Sequence, residues 1–188
     1  MRVYVPVTAA DLVADEISPR RVHGVTAAEQ REFPGEDLES LELVATLYAA
    51  DDSMDRIAAA RAAGEPLAVG ESLALRRLVA VGIAPNDWIA PIFGSSSGNS
   101  SGDGDGGAAL DGSQKHGEVP VTAIMLLHAL GWEKIESIYV DEPGSEALIA
   151  RAMAGDEAAF EAAADIDLLW YDVTERAELA AELGVAVN

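Results

Sequence analysis

The chain has 188 residues, enough for one domain with a real core, and carries 33 acidic against 12 basic side chains for a formal net charge of −21. That charge repels phosphate backbones and anionic membrane surfaces, which argues against nucleic-acid or membrane binding. The absence of cysteine excludes a disulfide framework and thiolate chemistry. Aromatic residues are only 5% of the chain, so the core has to rest on Ala, Val, Leu and Ile. The opening Met1–Pro6 lacks the apolar region of a signal peptide, and no stretch approaches the ~20 apolar residues of a membrane span. The expected location is the cytoplasm.

Taken in order, Val3–Val7 alternates and reads as a first strand. Thr8 and Asp11 form a T-x-x-D capping pattern that opens a short helix continuing through Leu12, Val13, Glu16 and Ile17, until Pro19 stops it. Arg20 and Arg21 lead into a strand over Val22–Val25, and Thr26–Glu29 is a second capping box. Glu36 to Ala63 holds the longest helical signal, with Asp51-Asp52-Ser53 a candidate interruption and Gly64 a candidate C-terminal stop. Leu78–Ile83 is a continuous apolar run, the pattern of a strand covered on both faces.

Pro85–Phe93 is apolar and punctuated by proline. The segment 94–117 differs in kind, since Gly, Ser and Asp dominate without periodicity. Such a composition does not bury enough apolar surface to offset its ordering entropy, so 94–117 reads as a disordered insertion. Beyond it, Thr122–Leu130 reads as a buried helix ended by Gly131, with His128 on its apolar side. Ile135–Val140 reads as a strand, Gly144–Ala154 and Asp156–Ala164 as helices, Leu168–Val173 as a strand, and Thr174 to about Gly184 as a terminal helix. The expected fold is a single α/β domain over 1–188 in sheet-and-helix layers. About five short strands alternate with helices, in a pairing that mixes parallel and antiparallel neighbours.

Phosphate-binding and nucleophile-elbow motifs are absent. His23, His116 and His128 share no metal-ligand spacing, so neither a metal nor another cofactor is expected. Asp103–Gly107 has the start of a calcium loop, but the fifth position, Gly107, lacks an acid and the twelfth is Gln114 rather than Glu, so it is not a true EF-hand and offers at most a weak calcium site. Charge placement is more informative. Arg2, Arg20, Arg21, Arg76, Arg77 and Lys134 precede strands, whereas Asp87, Asp141, Glu142 and Asp172 stand at or after strand ends. In a parallel sheet these four carboxylates would share one rim, where α/β sheets bind ligands. They would also simply complement helix dipoles there. Trp88, Ile89, Ile92 and Phe93 border the insertion as either core or a contact for a protein partner.

Several blocks together, Met1–Pro6, Val25–Glu32, Arg76–Ile83, Trp132–Asp141 and Leu168–Tyr171, resemble an uncharacterised actinobacterial family of small proteins classed as a domain of unknown function. The likeness covers most of the chain except 94–117, which departs from the shorter family pattern. It implies a compact cytoplasmic α/β fold and brings no catalytic residue with it. With no catalytic motif, the expected function is a non-catalytic binding or regulatory module. The alternative is a small divalent-metal-assisted hydrolase using Asp87, Asp141, Glu142 and Asp172.

Overall fold

The computed structural model describes residues 1–64, 73–92 and 119–185. Phe93 and the 94–117 insertion lie outside the described residues. The first half holds strands β1 (Arg2–Val7), β2 (Glu16–Ile17) and β3 (Arg20–His23), helices α1 (Ala27–Glu32) and α2 (Leu38–Ala62), then β4 (Leu78–Ile83) and β5 (Ile89–Pro91). The second half holds β6 (Ala123–Leu126), β7 (Leu130–Gly131), β8 (Ile135–Asp141), α3 (Glu146–Met153), α4 (Glu157–Ala163), β9 (Leu168–Asp172) and α5 (Arg176–Glu182).

Seven strands form one sheet in the order β5, β6, β3, β1, β4, β8, β9, while β2 and β7 pair as a separate ribbon. Every described pairing is antiparallel. The mixed α/β class expected from the sequence is therefore present, but with more strands than expected and without parallel pairs among the described residues. The apolar run in β4 does reflect burial on both faces. Val79 and Val81 meet Tyr4 and the α2 alanines Ala45, Ala49 and Ala50. Leu78 and Ala80 join Val3, Val5, Val7, Ile138 and Val140 on the opposite face, under Leu12, Trp132, Leu179 and Leu183. Two-sided burial follows from covering an antiparallel sheet on both faces, so the run carried no information about strand direction.

Three local expectations are corrected. Thr122–Leu130 is not a helix but holds β6 and the first residue of β7. Its burial has a period of two, with Ile124 and Leu126 inside while Met125 and Leu127 are exposed. A short apolar run does not reveal which period it follows until the sheet selects one. His128, expected on a buried helix face, is exposed. The expected helix through Ile17 is only a 3-10 turn at Ala9–Val13, followed by β2.

Helix α2 is uninterrupted. Asp37 caps its start by accepting from the Ser40 backbone N–H at 2.8 Å, and Gly64 follows its end with φ of 71°. The Asp51-Asp52-Ser53 triplet does not break the helix because its side chains bond to the sheet instead of their own backbone. Ser53 Oγ donates to the Val7 carbonyl at 2.7 Å and accepts from the Leu78 N–H at 2.9 Å. This hydroxyl pins α2 across β1 and β4. No helix among the described residues is long and apolar enough to cross a membrane.

Candidate functional site

The four expected carboxylates do not assemble. Asp141 at the end of β8 pairs with Leu168, whereas Asp172 at the end of β9 pairs with Ser137. Four residues of strand separate these levels, about 13 Å at ~3.3 Å per residue, far beyond a shared ~2–2.6 Å coordination sphere. Asp87 follows β4, whose far end is the one paired with Val140, so it lies at the rim opposite Asp141 and Glu142. Among the described residues no group of three or more His, Asp or Glu is placed to hold a metal ion. The reason is the antiparallel sheet, in which consecutive strand ends fall on alternate rims.

Antiparallel pairing instead brings the cation before one strand to the anion after its neighbour. Asp141 is fully buried and receives Arg77 Nε and Nη2 at 2.9–3.1 Å, together with the Arg77 backbone N–H at 2.8 Å. Arg77 Nη2 also donates to the Ala163 carbonyl at 2.6 Å, which ties α4 to the sheet. Asp51 lies 3.5 Å from Arg77 Nη1, and burial pushes its carboxyl up to about 6 despite that cation. Asp172 caps the turn after β9, accepting from Thr174 N and Oγ1 at 2.9 and 2.6 Å, and these bonds hold its carboxyl below the usual range. Glu142 and Asp87 are exposed. Of the apolar group, Trp88 and Ile89 pack against the main core, and Trp88 lies beside His128 and under Lys134 Nζ. Ile92 is half-buried and Phe93 is outside the described residues.

A different cluster is assembled by β3, α2 and the residue before β6. The pairing of Tyr4 with His23 places His23, and Arg21 two residues earlier, on the sheet face that α2 covers. His23 is 1% exposed and is bonded at both ring nitrogens. Nδ1 lies 2.8 Å from Thr122 Oγ1 and Nε2 lies 3.0 Å from Asp52 Oδ2. The ring stacks on Tyr48 with centroids 5.9 Å apart. Arg21 grips the same carboxylate, through Nε to Oδ2 at 2.5 Å and Nη2 to Oδ1. Burial alone would raise the Asp52 carboxyl, but the bonds from His23 and Arg21 outweigh it and hold the group below the ordinary range. An ionised Asp52 only accepts, so Nε2 carries a proton; in the neutral ring Nδ1 then accepts from the Thr122 hydroxyl.

The order hydroxyl, imidazole, carboxylate matches that of a nucleophile triad, yet Thr122 is fully buried and presents no atom to a substrate. What the network does is fix Asp52 and Arg21. These two form part of the wall of a cavity of about 210 Å³ lined by Pro6, Arg21, Asp52, Asp55, Arg56 and Ala59. The sequence carried a signal for it. Asp52, Asp55, Arg56 and Ala59 stand at i, i+3, i+4 and i+7, one stripe of a helix, on which Asp55 and Ala59 are exposed. His23 and Arg21 had no such signal, because their relation to α2 exists only through the strand pairing.

Glu29 is the other unexpected group. Thr26 Oγ1 accepts from its N–H at 3.1 Å, so the capping half of the expected box forms. Its carboxyl is buried with no hydrogen-bond partner for either oxygen, and burial, reinforced by Glu32, pushes it up to about 7.

No curated protein and no solved structure matches the chain. A family model does, over residues 1–180, and the chain thus belongs to the family of unknown function DUF6912.

Proposed function

We propose that the protein is a non-catalytic binding module that takes a small charged ligand in the cavity of Arg21, Asp52, Asp55 and Arg56. The observation that carries this reading is a concave site whose charged wall is fixed from behind. Asp52 is held by His23 and Arg21, and His23 by Thr122 and Tyr48. Groups immobilised before a ligand arrives lose little rotational freedom on binding, which favours affinity. The sealed hydroxyl and imidazole support binding over turnover.

The test is a titration of the isotope-labelled chain with acetate, guanidinium, phosphate and glycine, followed by amide chemical shifts. Saturable shifts centred on Arg21, Asp52, Asp55 and Arg56 with at least one probe are expected, and they should vanish in Asp52→Asn. If no probe moves those amides at about 20 mM, a concentration that detects even very weak complexes, the reading fails.

A further inference from the structure

We propose that the outer edge of β9 receives one further strand, an extended apolar peptide of a partner protein with lysine or arginine at both ends. The two edges of the seven-stranded sheet are built differently. β5 has three residues and ends in Pro91, which has no N–H to give, so that edge is blunted. β9 reads Leu168-Leu169-Trp170-Tyr171-Asp172, without proline or lysine, and pairs only with β8 in an unbroken register. An edge of that kind is a template for another strand.

The ladder determines which groups the edge offers. The Glu142 N–H donates to the Asp167 carbonyl at 3.0 Å, so these two residues form a hydrogen-bonded pair. Alternation then turns the backbone N–H and C=O of Leu168, Trp170 and Asp172 away from β8. The Asp172 N–H accordingly donates to Glu175 Oε2 at 2.8 Å, whereas those of Leu168 and Trp170 have no partner beyond the edge among the described residues. The side chains suit an apolar occupant. Trp170 is 58% exposed on the face of Tyr139, and Leu169 is 38% exposed on the opposite face. A strand laid along the edge would cover both.

Charge selects the partner. Asp165 and Asp167 before the strand and Glu175 and Glu178 after it are exposed, and none of the four has an ion pair among the described residues. The nearby arginines are committed elsewhere, Arg176 to the Ala14 carbonyl and the Trp132 ring, Arg76 to Glu146 and Glu182. A second copy of the chain fits badly. Two β9 strands paired antiparallel about Trp170 bring Asp165 of each towards Glu175 of the other, and a parallel pair sets Asp167 on Asp167. Like charges placed opposite each other destabilise a ladder. At a net −21 two copies also repel as wholes. Basic ends on a foreign peptide turn both repulsions into attraction.

Calorimetry and amide hydrogen exchange on the full chain test the proposal, with a capped peptide of alternating valine and threonine carrying two lysines at each end. The peptide is expected to bind with a Kd below about 1 mM and, at saturation, to slow exchange at Leu168 and Trp170 at least about tenfold. Glutamates in place of the lysines, or N-methylation of the central amides, should each weaken it at least about tenfold. Asp165→Asn with Asp167→Asn, both at exposed positions, should weaken it about threefold or more. Trp170→Pro removes an N–H that faces outward and should abolish binding, while Trp170→Thr, which keeps that N–H, should retain part of it. Should the proline variant fail to fold, the methylated peptide decides the same point. Equal binding of the glutamate or the methylated peptide would overturn the proposal, as would no binding at about 1 mM. A concentration-dependent dimer in light scattering that Trp170→Thr retains and Trp170→Pro loses would also overturn it, by placing a second copy on the edge.

Discussion

Two arginine–aspartate pairs, Arg77 with Asp141 between β4 and β8 and Arg21 with Asp52 between β3 and α2, share their chemistry while differing in burial. Arg77 and Asp141 are 1% and 0% exposed, and every strong bond they make is internal. Arg21 and Asp52 are 40% and 12% exposed, and they open onto a cavity. In the first pair the low dielectric makes each charge depend wholly on the other, so the pair acts as a lock between β4, β8 and α4. In the second, water reaches one partner, the mutual dependence is weaker, and the arginine keeps donor capacity for something else. The same two residue types thus become architecture or a binding element according to how far solvent reaches them.

The largest effect that would test this contrast is Asp141→Asn. It leaves Arg77 buried with only Asp51 near it and should cost about 3–5 kcal/mol in urea denaturation. A loss below about 1 kcal/mol would mean that Asp51 takes over the pairing, and the lock would be shared. Asp52→Asn should cost less, about 2 kcal/mol, because Arg21 turns to water when its carboxylate partner is removed. Since the Asp52 carboxyl is held below its ordinary value, its stabilisation is present at neutral pH and is lost as the pH falls through that lowered value. The acid limb of the stability profile should therefore shift in this variant.

Glu29 carries the opposite sign. Its raised carboxyl stabilises the fold below its ordinary value of 4.5, and that contribution is lost as the pH rises towards about 7. Glu29→Gln should gain about 1–2 kcal/mol at pH 8 and nothing near pH 4, as read by denaturation at both pH values. Equal stabilities at pH 8 would show that water reaches the carboxyl. The smallest effect belongs to Arg2, 43% exposed and 3.5 Å from Glu136, for which Arg2→Ala should stay within about 0.5 kcal/mol.

Parts of this molecule are legible in the sequence for physical reasons. Helix α2 declares itself by its period and its Asp37 and Gly64 ends, and β1, β4 and β8 by β-branched or continuous apolar runs. What was hidden is non-local. Strand direction leaves no mark on a strand covered on both faces, and with it went the placement of Asp87, Asp141, Glu142 and Asp172. Residues 122–130 were ambiguous because Ala, Leu and Met favour helices while the neighbouring β3 edge demanded a strand. The cavity was half visible, as a charged stripe on α2. Its other half waits on the pairing of β3.

That dependence has a consequence for how the chain acquires its site. His23 and Thr122, the contact behind Asp52, stand 99 residues apart. Contacts of such separation close late, after the local hairpins and helices have reduced the entropy of the loop between them. A nascent or partly folded chain can already pair β1 with β3 and set His23 beside Asp52, only 29 residues away, yet the ring has no Thr122 hydroxyl to hold its Nδ1. The second clamp on the ring then arrives only when β6 docks on β3, so the rigidity of the Asp52 wall reports on the joining of the two halves of the chain.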